Sequence, residues 1–186
     1  GGVADGGSYG GHGARSTGEG TNYGSILAPT ALGSSAGNGG YGGGAIKIVA
    51  GSVTNYGTIS ADGRVGDWNH SGGSGGSLWI QCGTLSGTGR VSAVAGDSAN
   101  NRPGGGGRVS LVLTNSGADF STFTGPVLAY GEVQGANIGS AGTIYRQTGN
   151  HASGRGTLMV DNGSRNSATN IFMQFPPEIL CPSEGS

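Results

Sequence analysis

Two series of short apolar clusters alternate along this chain at a nearly constant spacing of about 32 residues. The first series centres on Ile46, Leu78, Val109 and Ile144, with steps of 32, 31 and 35, and a weaker fifth member follows at Ile171-Phe172-Met173. The second centres on Ile26, Ile59, Val91, Val127 and Leu158, with steps of 33, 32, 36 and 31. Two near-identical hexapeptides keep the same interval: Thr21-Asn22-Tyr23-Gly24-Ser25-Ile26 and Thr54-Asn55-Tyr56-Gly57-Thr58-Ile59. A supersecondary unit repeated at this period cannot bury its apolar face alone and must stack on its neighbours. The spacing predicts an all-β chain: a parallel β-solenoid or two-sheet stack of about five two-strand repeats.

Within each cluster the apolar residues alternate, as in a strand with one buried face. Leu78, Ile80 and Cys82 fall on one side of their strand, and Trp79 and Gln81 on the other. The corresponding inward sets are Ile46, Ile48 and Ala50 in one strand and Val109, Leu111 and Leu113 in another. Ile59 with Ala61, and Val91 with Ala93, would close the opposite side. Helical spacing is nearly absent, because glycine interrupts almost every window.

Glycine supplies 44 of the 186 residues, and it keeps phase with the repeat. The runs Gly39-Gly40-Tyr41-Gly42-Gly43-Gly44, Gly72-Gly73-Ser74-Gly75-Gly76 and Gly104-Gly105-Gly106-Gly107 each precede a strand of the first series. Glycine can serve turns that need positive φ, or places where backbones approach closely. The sharper expectation is extended, polyglycine-II-like segments packed side by side, as glycine packs on the collagen axis. The plainer one is a set of surface loops.

Composition excludes several classes. Formal net charge is -1, too small for charge-driven disorder. Lys47 is the only lysine and no basic stripe occurs, which argues against nucleic-acid binding. No apolar run reaches the length of a membrane span. The chain starts at Gly1 without Met or signal peptide, as expected of a processed product or a segment of something longer.

Tyr23-Gly24-Ser25-Ile26-Leu27-Ala28-Pro29-Thr30-Ala31-Leu32-Gly33-Ser34, Gly42-Gly43-Gly44-Ala45-Ile46-Lys47-Ile48-Val49-Ala50 and Gly75-Gly76-Ser77-Leu78-Trp79-Ile80-Gln81-Cys82-Gly83-Thr84-Leu85-Ser86-Gly87 resemble motifs in glycine-rich repeat regions of very large secreted or surface proteins of bacteria and protists. Gly142-Thr143-Ile144-Tyr145 and Gly156-Thr157-Leu158-Met159-Val160-Asp161-Asn162 look like the closing part of the same unit. The likeness covers roughly residues 10–163 and implies a β-rich, extracellular or cell-surface module with no catalytic residues to carry over. A looser likeness, resting on composition, is to glycine-rich receptor ectodomains and phage tail-fibre adhesins.

Candidate chemistry is sparse. Asp62, Asp67 and Asp97 share a phase of the repeat and could line one edge, as a polysaccharide-degrading enzyme would need, but Asp beside Gly also marks turns. His12, His70 and His151 have no repeated context, and no cofactor or metal motif is present. Trp79, Trp68 and Tyr41 are the aromatic candidates for a ligand such as a glycan. The alternative for Trp79 is packing beneath a glycine-rich segment. Asn69 and Asn162 lie in glycosylation sequons. Cys82 and Cys181 could form one disulfide or remain free thiols. The chain divides into a repeat domain, 1–163, and a C-terminal cap or linker, 164–186. The function expected is a non-catalytic extracellular structural module that self-associates, in a surface or filament assembly. A carbohydrate-binding adhesin is the second reading, and a polysaccharide-degrading enzyme the third.

Overall fold

The computed structural model describes residues 5–14, 20–37, 39–66, 70–98 and 102–165. Ten strands follow in chain order: β1 (Ala45–Thr54), β2 (Thr58–Ser60), β3 (Ser77–Ser86), β4 (Arg90–Ser92), β5 (Arg108–Leu113), β6 (Val127–Leu128), β7 (Val133–Gln134), β8 (Asn137–Ile138), β9 (Thr143–Gln147) and β10 (Thr157–Met159). One sheet has the order β1-β3-β5-β9-β10, a second β2-β4-β6, and β7 and β8 form a hairpin. Pairing is parallel throughout the two larger sheets except between β9 and β10. This is a parallel β-solenoid of about 3 turns, with β9 opening a further rung. No helix among the described residues is long and apolar enough to cross a membrane.

The register follows the repeat residue by residue. Ile46 pairs with Leu78, Leu78 with Val109, and Val109 with Ile144. In the second sheet Ile59 pairs with Val91, and Val91 with Val127. Like residues therefore stack into ladders, and the core lies between the two sheets. It contains Leu78, Ile80, Cys82, Val91, Val109, Leu111 and Leu113, with Phe123 and Val127 completing the far side.

Three expectations need correction. The solenoid has about three turns, not five. Leu158 does not continue the second sheet: β10 turns back antiparallel on β9, pairing Leu158 with Tyr145. Ala50 is exposed although it shares a face with Ile46 and Ile48, because no rung among the described residues covers β1. Ile171-Phe172-Met173 and most of the 164–186 segment lie outside the described residues.

A fourth departure is at Ile26. It is buried but belongs to no strand, and residues 23–34 form a strap across the outer face of the first sheet. Arg108 Nε donates to Tyr23 O at 3.0 Å, Ser110 Oγ to Leu27 O at 2.7 Å, and Ser77 Oγ to Ala31 O at 2.6 Å. Tyr9 adds a hydroxyl contact to Ser77 Oγ at 2.6 Å, and its ring meets Tyr23 with centroids 4.7 Å apart. The strap thus crosses β3 and β5 and satisfies the buried hydroxyls at their starts.

The glycine runs form a second packed layer. Successive N–H groups of residues 72–76 donate to Arg102, Arg64, Ser34, Gly105 and Ala61. Gly72 and Gly75 thus address one neighbouring segment, Gly73 and Gly76 a second, and Ser74 a third. Gly104 and Gly107 likewise share a neighbour, donating to Gly96 and Ala93, while Gly105 donates to Gly7 and Gly106 to Ser140. A strand would alternate its donors with period two. Donors that return to the same neighbour every third residue have the three-residue turn of a polyproline-type helix. Residues 72–76 and 104–107 are buried, and none of their glycines has the left-handed φ that a turn would demand, whereas Gly39 of the first run takes φ of 87°. Their need for glycine is close approach: a Cβ at Gly43 would lie 2.5 Å from Gly76 N, and one at Gly106 2.5 Å from Gly142 N.

That layer should be visible in amide exchange. We expect Gly72–Gly76 and Gly104–Gly107 to exchange as slowly as core strand β5, because each N–H is bonded and buried. Exchange at the rate of open loops would contradict the packing.

Candidate functional site

Side chains that the parallel register points away from the core form rows on the outer face of the first sheet. One row is Lys47, Trp79, Ser110 and Tyr145; the next is Val49, Gln81, Val112 and Gln147. Two long rungs, Trp79 with Gln81 and Tyr145 with Gln147, therefore flank a low one, Ser110 with Val112. With strands roughly 4.8 Å apart, the flanking rungs are separated by about 9.6 Å. The result is a trough, walled at one end by Leu27 and Ala28 of the strap and on the far side by residues 149–154, with a cavity volume of about 490 Å³.

Hydrogen bonds set the trough's side chains. Tyr145 Oη donates to Gln147 Oε1 at 2.9 Å, and Gly154 N–H donates to the same oxygen at 2.9 Å. Gly156 N–H in turn donates to Tyr145 Oη at 2.8 Å. With its oxygen doubly engaged, Gln147 is left with an amide NH2 to present. Lys47 Nζ lies 4.0 Å from the centroid of the Trp79 ring, a cation–π contact that orients the indole. Trp79 Nε1 is buried and has no hydrogen-bond partner among the described residues. His151 also lines the trough, its Nδ1 accepting from Thr148 N–H at 3.1 Å.

The other residues singled out by sequence do not gather here. Tyr41 is exposed on the glycine side, facing the Arg64 guanidinium at 5.6 Å. Trp68, Asn69, Asp67 and Cys181 lie outside the described residues. Asn162 holds a glycine row together: its Oδ1 accepts from Gly131 N–H at 2.9 Å and its Nδ2 donates to Gly139 O at 3.1 Å. Cys82 is buried in the core, and that burial pushes its thiol pKa up. Asp62 braces the next rung, accepting from Ser92 Oγ at 3.0 Å and Val94 N–H at 2.8 Å, with Arg90 at 3.4 Å. Asp97 accepts from Ser98 N–H at 2.7 Å. Glu132 pairs with Arg165 at 3.6 Å; burial nevertheless raises its pKa. Among the described residues no group of three or more His, Cys, Asp and Glu is placed to hold a metal ion.

The sequence reading found Trp79 but missed Gln81, Tyr145, Gln147 and His151. A signal existed: Trp79-Ile80-Gln81 and Tyr145-Arg146-Gln147 are both aromatic-x-Gln, in phase and two rungs apart. His151 and the strap wall carry no such signal. In comparisons with family models, curated proteins and solved structures, nothing matches.

Proposed function

We propose that this chain is a non-catalytic structural module of an extracellular or cell-surface assembly, and that it self-associates through its β1 end. The observation that supports this is the contrast between the first and second rungs. Ile46, Ile48, Val53 and Ile59 are only partly buried, whereas their partners Leu78, Ile80, Leu85 and Val91 are 0–1% exposed. β1 is ten residues long, pairs only with β3 among the described residues, and contains neither proline nor a charge other than Lys47. Natural edge strands are usually shortened, charged or bulged to prevent pairing. Here the one cation lies over Trp79.

The opposite end of the sheet closes differently, with three-residue β10 running antiparallel. A ten-residue edge is better matched by a second β1 than by β10, which favours a two-fold, isologous pairing of two copies. A net charge of -1 offers little repulsion to oppose it.

Sedimentation velocity over a range of concentrations tests this reading. The chain should pass from monomer to dimer or larger species, and Ile48→Lys should shift that equilibrium at least tenfold toward monomer by placing a charge on the apolar end. A wild-type chain that stays monomeric at high concentration would refute it.

A further inference from the structure

We propose that the trough between the Trp79–Gln81 and Tyr145–Gln147 rungs binds a neutral oligosaccharide. The chemistry of its lining carries the proposal. Among the described residues, no Lys, Arg, Asp or Glu lines it. A cationic ligand would find no opposite charge in the lining, and the cation beside it, Lys47, is engaged over the Trp79 ring. The lining is nonetheless polar at several points: Gln81, Thr114, Gln147, His151 and Ser153 accompany the Trp79 indole. A purely apolar ligand would leave those groups desolvated without partners, which is costly.

A saccharide ring meets both conditions, with hydroxyls that donate and accept and an apolar C–H face that suits an aromatic side chain. The Gln147 amide is held ready, because Tyr145 Oη and Gly154 N–H both engage its oxygen and leave its NH2 for the ligand. Tyr145 thus acts as a positioning residue, and Lys47 plays the same part for Trp79. The volume of about 490 Å³ falls within the roughly 300–1,000 Å³ of small-ligand sites. An extended peptide suits the place less well, since peptides add to a sheet's edge and the trough lies on its face.

The trough is on the face of the sheet and the proposed association surface is at its β1 end, so the two ideas can fail separately. The test uses a Trp68→Phe chain, in which Trp79 is the only tryptophan. Its fluorescence is titrated with cellotetraose, chitotetraose, mannotetraose and maltotetraose, and with trigalacturonate and a Ser/Thr-rich peptide for comparison. At least one neutral sugar should give a saturable change. Calorimetry with that sugar on the otherwise natural chain should then show affinity lowered at least tenfold by Gln81→Ala and by Gln147→Ala. Ile48→Lys should bind as the parent does. No saturable response to any neutral sugar, saturation only by the acidic sugar or the peptide, or unchanged affinity in both glutamine variants would overturn the proposal. The glutamine variants keep the test sharp even if truncating Trp79 itself disturbs the sheet.

Discussion

Replacing Gly75 by alanine is expected to destabilise the protein by at least about 3 kcal/mol, for the addition of a single methyl group. The Cβ would lie 2.6 Å from both Ala93 C and Gly107 N, and closer still to the Ala93 carbonyl oxygen. All three are backbone atoms fixed by hydrogen bonds: Gly107 N–H donates to Ala93 O, and Gly75 N–H to Gly105 O. No flexible side chain can move aside, so relief requires separating two rows of the layer. The contrast is Gly44→Ala, at the start of the preceding rung. A Cβ there meets nothing within 4 Å, and its φ is not in the left-handed region. That substitution should be neutral or stabilise by about 0.5 kcal/mol, through the lower entropy of the unfolded chain. Chemical denaturation of both variants measures the difference. Equal stabilities would mean that the glycine rows are not packed as described.

Truncating Leu78 to alanine is expected to cost about 2–5 kcal/mol, since it leaves a cavity in a fully covered rung. Leu78 is 0% exposed, with Ile46 on one side and Val109 on the other. Its register partner gives the control. Ile46→Ala removes a residue of similar size, but at the open end of the ladder, where burial is partial. The cost there should be less than half as large, because less area leaves water on folding and the site can collapse. Urea midpoints for the two variants decide the matter. A larger loss at Ile46 would show that the β1 rung is covered in solution, most simply by a second copy. Dilution below the association range would then restore the expected order.

These effects bear on what could be read before the fold was known. The strand ladders were legible, because parallel stacking makes each rung repeat the inward residues of the last: Ile46, Leu78, Val109 and Ile144 fall into register at the spacing seen in the chain. The phase of the glycine runs was legible too, though not its cause. Only the neighbours of Gly75 and Gly106 show that close approach, and not turn geometry, demands glycine. Half of the trough was legible, in the two aromatic-x-Gln tripeptides. Its walls were not, because Leu27 and His151 reach it from segments outside the repeat.

The matching hexapeptides mark the boundary most clearly. Spacing determines by itself that the chain stacks short strands and that glycine runs recur in phase with them, since both features recur with the period that stacking imposes. They do not determine which copies of a motif enter the stack. In Thr54-Asn55-Tyr56-Gly57-Thr58-Ile59, the Asn55 amide donates to Arg90 O, Gly57 avoids positive φ, and Ile59 enters β2. In Thr21-Asn22-Tyr23-Gly24-Ser25-Ile26, Gly24 takes φ of 75° and the chain bends into the strap. Glycine permits either path at little local cost. The choice falls to tertiary contacts: Arg108, Ser110 and Ser77 have buried polar groups on the outer face, and the strap's carbonyls satisfy them.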